Sequence, residues 1–234
     1  MESLSRFLYG MLLSGAVGLA AAPACSAIVF SQNPAQGGEG YFSNYGAAQQ
    51  SADNFFLGAG TDVYSLAWWG SYGDTGTSHD DWFVVRIFDG SMPAGVPVFT
   101  CGDAAAASFV RCAGVTRSAT SLLDDADHPI FRYDFELTPA LDVKTSRSHL
   151  LSITNDTDAS WFWLRSEQAG DGSYFRQVDE DPFELDAQQP APDLSFALAA
   201  AHEIPEPGVL SLLGLAAVLG LSLRWRAFRA ARPA

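Results

Sequence analysis

Between residues 62 and 199 short runs of aromatic and β-branched residues follow one another, separated by clusters of Gly, Asp, Ser and Pro. The runs fall at 62–70 (DVYSLAWWG), 81–88 (DWFVVRIF), 96–100 (VPVFT), 108–116 (SFVRCAGVT), 130–137 (IFRYDFEL), 149–154 (HLLSIT), 160–165 (SWFWLR), 173–178 (SYFRQV) and 193–199 (DLSFALA). This length and spacing predict strands, and so many of them predict an all-β antiparallel β-sandwich, jelly-roll-like, over a helical or βαβ fold. Alternation is clearest in 130–137. Ile130, Arg132, Asp134 and Glu136 share one face, and Phe131, Tyr133, Phe135 and Leu137 share the other, which is expected to point inward. In 81–88, Arg86 lies on the face of Trp82, Val84 and Phe88, so Phe83, Val85 and Ile87 are the better core candidates. Helix signals are weak, with 104–107 offering one turn at most. Residues 70–81 and 89–95 read as Gly-rich connections, 155–158 as a tight turn, and 179–193 as a long irregular segment before the last strand.

The two ends break this pattern. Residues 1–27 place Arg6 ahead of an apolar run at 7–22 and then small residues, the layout of a signal peptide. The run is short for a permanent span, which needs ~20 residues. Cleavage after Ala27, with Cys25 and Ala27 at the site, is favoured over cleavage after Ala24. A lipoprotein reading of Cys25 lacks the usual Leu three positions upstream, and a buried N-terminal helix would be broken by Pro23. At the other end, Pro205, Glu206 and Pro207 precede sixteen uncharged residues at 208–223, followed by Arg224, Arg226, Arg229 and Arg232, with Trp225 placed to sit at an interface. As a helix at ~1.5 Å per residue the run spans ~24 Å, slightly short of a ~30 Å hydrocarbon core. Arginines beyond it favour a cytoplasmic C-terminus, so the chain between the ends lies outside the cytoplasm. The run is apolar on all sides, which disfavours an amphipathic core helix. Three regions follow: 1–27 a signal peptide, 28–203 an exported domain, and 204–234 a membrane-anchored end.

Charge narrows the partners. All but Glu2 and Glu206 of the 27 acidic residues lie in 28–203, against eight of the 13 basic ones, including the one lysine, Lys144. That leaves the exported region at roughly −17, which suits solubility or divalent cations. Nucleic acid is disfavoured, because phosphate contacts need clustered Lys and Arg. Cys101 and Cys112 remain after cleavage at Ala27, an even number that in an oxidising compartment predicts one disulfide.

The C-terminal segment resembles the PEP-CTERM sorting signal of exported Gram-negative proteins, carried by Pro205, Glu206 and Pro207, the apolar run and the arginine tail with Arg224, Arg226 and Arg229. The resemblance implies an exosortase, a membrane protease acting near the Pro-Glu-Pro triplet, as partner. This chain would be its substrate. Physically, the prolines keep the triplet extended for a protease cleft, and the helix holds it at a fixed height above the membrane. Residues 66–72, 80–88, 150–166 and 170–177 are similar to a domain recurrent among such proteins, which implies a β-sandwich and a cell-surface role but no activity.

Candidate chemistry is sparse. None of His79, His128, His149 and His202 has metal-ligand spacing, and no G-x-S-x-G elbow occurs. His79 beside Asp80 and Asp81 reads as a solvated loop more readily than as acid–base chemistry. Asp74, Asp80 and Asp81 are weak calcium candidates, and Asp124, Asp125, Asp127, Asn155, Asp156 and Asp158 form further acidic clusters, each better read as turn capping. No cofactor is expected. Trp68, Trp69, Trp82, Trp161 and Trp163 are many for one domain, and Trp69, Trp161 and Trp163 are candidates for stacking on a glycan. The expected function is that of an exported, surface-sorted protein without enzymatic activity, a structural or adhesive component of the extracellular matrix. The alternative is an exopolysaccharide-binding module, possible with calcium assistance, and a hydrolase of that polymer comes third.

Overall fold

The alternating apolar runs do form strands. The computed structural model describes residues 26–201 apart from 46, 58–59, 75–78, 91–95, 103–109, 144–147, 158, 178–180 and 187–191. Residues 1–25 of the expected signal peptide 1–27, the expected sorting segment 204–234 with Pro205, Glu206, Pro207, Arg224, Arg226 and Arg229, and the 104–107 stretch all lie outside the described residues. No helix occurs among the described residues, and so none there is long and apolar enough to cross a membrane.

The strands are β1 (Ser26–Gln32), β2 (Gly40–Phe42), β3 (Gln50–Phe56), β4 (Thr61–Tyr72), β5 (Phe83–Asp89), β6 (Phe99–Cys101) and β7 (Thr116–Leu123). They continue as β8 (Pro129–Val143), β9 (Ser148–Asn155), β10 (Trp161–Ala169), β11 (Tyr174–Arg176), β12 (Glu184–Leu185), β13 (Pro192–Leu194) and β14 (Phe196–Ala201). They build two antiparallel sheets. One has eight strands and centres on β4, which pairs with β8, β14 and β10; β7 extends it beyond β8, β1 beyond β14, and β2 and β13 beyond β10. The other has six, in the order β12-β11-β3-β9-β5-β6.

Each sheet turns one apolar face toward the other, giving a sandwich-like body. Phe131, Tyr133, Phe135 and Leu137 on β8 join Trp68 on β4 and Trp161 and Trp163 on β10, and meet Phe83, Val85 and Ile87 on β5 in one buried cluster. Phe83 is its centre, with ring centroids 4.7 Å from Tyr133, 5.1 Å from Trp68 and 5.1 Å from Trp161, each edge to face. Edge-to-face geometry suits aromatic quadrupoles and adds ~0.5–1.5 kcal/mol per pair beyond burial. Gly70 makes room for this arrangement, since a Cβ there would lie 2.5 Å from the Trp161 ring.

One outer face is covered too. On the six-stranded sheet, Phe88 of the face shared with Arg86 packs with Ala52, Leu150, Tyr174 and Phe183, and Val84 and Arg86 are buried. Phe183 comes from the segment expected to be irregular, and the Arg176 guanidinium lies 4.3 Å above its ring. Alternation alone could not report this cover, because it arrives from a distant part of the chain.

Several boundaries differ from expectation. The run 108–116 gives no strand at 111–115: Gly114 turns with φ 88°, and Cys112 is held by its N–H donating to the Phe83 carbonyl at 2.7 Å. The strand β7 follows it, built largely of exposed Ser and Thr that carry little apolar signal. β8 runs past Leu137 through the Thr138–Pro139 peptide to Val143, with its register to β4 shifted between Val63 and Ser65. The run 193–199 is split at Ser195 into β13 and β14. β1 begins at Ser26, where Ser26 and Ala27 pair with Ala201 and Ala200, so a cut after Ala27 removes two residues of the strand and a cut after Ala24 leaves it whole.

Cys101 and Cys112 form a disulfide, with Cα atoms 4.9 Å apart. It ties the edge strand β6 to the loop that precedes β7. Cys101→Ser is expected to lower the unfolding free energy by about 3 kcal/mol, the loop-closure value for a short ring. Urea denaturation with and without reductant checks this: wild type in reductant should match the variant, and a variant as stable as oxidised wild type would contradict it.

Candidate functional site

Trp69, Trp161 and Trp163 do not present a sugar platform. Trp161 and Trp163 are fully buried on the inner face of β10, and the Trp163 indole N–H donates to the Ser195 carbonyl at 2.9 Å. Neither can offer a face to a glycan, because both faces are already packed against protein. Trp69 points to the opposite side of the sheet from Trp68, as alternation requires, but is only 9% exposed: it packs with Ala67, Ile130 and Leu164 under the Arg132 guanidinium, 5.6 Å from its ring. Trp82, at 37%, is the most exposed of the five.

The acidic loop candidates are tied to structure. The Tyr72 hydroxyl donates to Asp81 Oδ1 at 2.5 Å and accepts from Asn155 Nδ2 at 2.9 Å, while Asn155 Oδ1 accepts from the Trp82 N–H. Arg117 reaches Asp81 at 3.3 Å. His79 stacks on Tyr72, centroids 4.1 Å apart, and its Nε2 lies 2.8 Å from Asp74 Oδ1. Asp80 is exposed and contributes its backbone carbonyl. Burial pushes the Asp81 carboxyl up, against the opposing pull of Tyr72 and Arg117, and burial also raises the Tyr72 phenol. The Asp74 and Asp81 carboxylates thus face different partners, and among the described residues no group of three or more His, Cys, Asp or Glu is placed to hold a metal. Asp124 acts as a turn cap: its Oδ1 accepts from the N–H groups of Ala126 and His128 at 2.9 and 2.8 Å.

Two buried carboxylates were not legible from the sequence. Asp53 on β3 is fully buried and accepts from the N–H groups of Leu194 and Asn54. Asp193 on β13 accepts from Gln32 Nε2 at 2.9 Å and from the Gly172 N–H at 3.1 Å. Burial first, and then the nearby Asp193 charge, hold the Asp53 carboxyl well above the usual range, and burial raises Asp193 as well. These contacts pin β13 and the 170–172 turn to both sheets.

A further feature is a groove where strand pairing stops. β7 pairs with β8 only as far as Asp134, opposite Thr116, whereas β4 follows β8 to Val143. Beyond Asp134, β8 therefore has no paired strand on its second side among the described residues. On the other sheet β6 is the last strand. Two cavities of about 640 and 460 Å³ lie along this side. They follow one another along β8, from Phe135 to Asp142, and share Phe99. Thr100, Thr116, Glu136 and Thr138 border the first; Pro139, Leu141, Asp142 and His149 border the second. His149 is 4% exposed and stacks on Phe55, centroids 5.4 Å apart, yet neither ring nitrogen has a hydrogen-bond partner.

No family model, curated protein or solved structure matches this chain.

Sequence reasoning passed over the groove because its residues are ordinary strand residues. Phe99 and His149 sit inside predicted strands, and their meeting depends on where β7 ends. The one signal that could have found it is His149 at the head of the apolar run 149–154.

The raised carboxyl groups set a pH dependence. A folded-state acid whose pKa exceeds its unfolded value holds a proton that the unfolded chain has released, so stability falls as pH rises toward the folded pKa. Asp53, Asp81 and Asp193 all shift in this direction. The urea midpoint should therefore be higher at about pH 5 than at about pH 7.5, and Asp53→Asn should shrink that difference. A midpoint that rises with pH would show that the buried carboxylates do not behave as described.

Proposed function

We propose that this chain is an exported, surface-sorted, non-enzymatic protein, a structural or adhesive component of the extracellular matrix. In this reading residues 1–27 are a signal peptide, the described strands form a jelly-roll-like sandwich, and 204–234 is a PEP-CTERM-like sorting segment that an exosortase cuts near Pro205, Glu206 and Pro207. The chain is membrane-anchored until that cut and then passes to the surface or matrix. The observation that carries the reading is the body itself: two antiparallel sheets packed on one aromatic core that includes Trp68, Trp161 and Trp163, with a disulfide tying β6 to the loop before β7. A disulfide is persistent in an oxidising, non-cytoplasmic compartment and rare elsewhere. A second reading, an exopolysaccharide-binding module, draws support from the groove along β8.

Removing 204–234 tests the sorting role. Immunodetection on fractionated host cells should find the full chain with the membrane and surface and the truncated chain in the periplasm or medium. Unchanged distribution of the truncated chain would sink the assignment.

A further inference from the structure

The geometry points to the groove along β8 as a binding site for a neutral glycan chain, with His149 as the polar group at its floor. Three observations bear on this. First, a buried imidazole with both nitrogens unpaired keeps an uncompensated desolvation cost, and such groups in proteins ordinarily find water or a ligand. A neutral imidazole offers one donor and one acceptor, which a hydroxyl, itself donor and acceptor, matches. Second, the walls pair apolar surface with hydroxyl and carboxylate groups. Phe99, Pro139 and Leu141 present the carbon surface that the C–H face of a sugar ring requires, and Thr138, Glu136 and Asp142 supply acceptors for its hydroxyls. Third, the groove is elongated: a run of about eight residues of β8 spans ~26 Å at ~3.3 Å each, which fits an oligosaccharide better than a single ring.

An added peptide strand fits less well. Strand addition needs an unbroken ladder of backbone donors and acceptors. Pro139 has no N–H, and the β8 register shifts beside it, so the edge is interrupted at its middle. Anionic glycans are disfavoured by Glu136 and Asp142, in a chain of formal net charge −14. The choice of ligand class rests on the matrix reading above; the site itself rests on the groove.

The test is calorimetric titration of the full chain in detergent micelles with cellohexaose, chitohexaose and a hexamer of uronic acids. At least one neutral hexamer should bind saturably, and the uronate hexamer at least ten-fold more weakly. His149→Phe keeps the stacking on Phe55, removes the unpaired nitrogens, and should weaken binding ten-fold or more without lowering the melting temperature. Asp142→Asn, at an exposed rim position, should weaken it several-fold and serves if the first variant misfolds, while Trp82→Ala should leave it unchanged. Absence of saturable binding by both neutral hexamers overturns the proposal. So does equal or tighter binding of the uronate hexamer, or unaltered affinity in both His149→Phe and Asp142→Asn. Binding in micelles does not depend on where the cell puts the protein, so a chain that binds but is not surface-sorted would fail the matrix reading and not this one.

Discussion

The contact on which the rest depends is that of Phe83 with Trp68, Tyr133 and Trp161. It joins one strand of the six-stranded sheet to three strands of the eight-stranded one, and it occupies the middle of the shared core. Two sheets without this meeting would each expose an apolar face, and neither could stand alone in water. Gly70 is placed where Trp161 must pass, and Cys112 is positioned by the Phe83 carbonyl, so the disulfide loop is registered to the same point.

Much of this was readable in the residues. The inward face of β8 and the core choice of Phe83, Val85 and Ile87 both follow from period-two alternation, as does the opposite placement of Trp68 and Trp69. What alternation could not convey was which outward face is later covered. Trp69, Phe88 and Arg86 look like surface on local grounds, and they are buried by residues far away in sequence, such as Phe183. The strand β3 was hidden for a different reason. Gln50, Ser51 and Asp53 are polar and buried, each made tolerable by hydrogen bonds that only the folded chain supplies. Polarity there signals internal bonding and reads, from sequence, as loop.

The same logic separates the candidate sites. Tryptophan is a poor guide to a sugar site in a small two-layer fold, because the core has first claim on large rings. Asp81 is engaged by Tyr72 and Arg117 and Asp74 by His79, so their charge serves local fastening. The groove differs because its buried histidine is committed to no turn or ion pair. It exists where β7 stops short of β8's end, and it contains a histidine that packing has buried and nothing has bonded.

The central claim is that the aromatic residues of the inner faces hold the sheets together and are withheld from the surface. Oxidative footprinting of the folded chain, read residue by residue by mass spectrometry, tests it most directly. The account predicts rapid modification of Trp82, with Trp68, Trp161 and Trp163 protected until the protein unfolds. Comparable modification of all four in the folded state would contradict it.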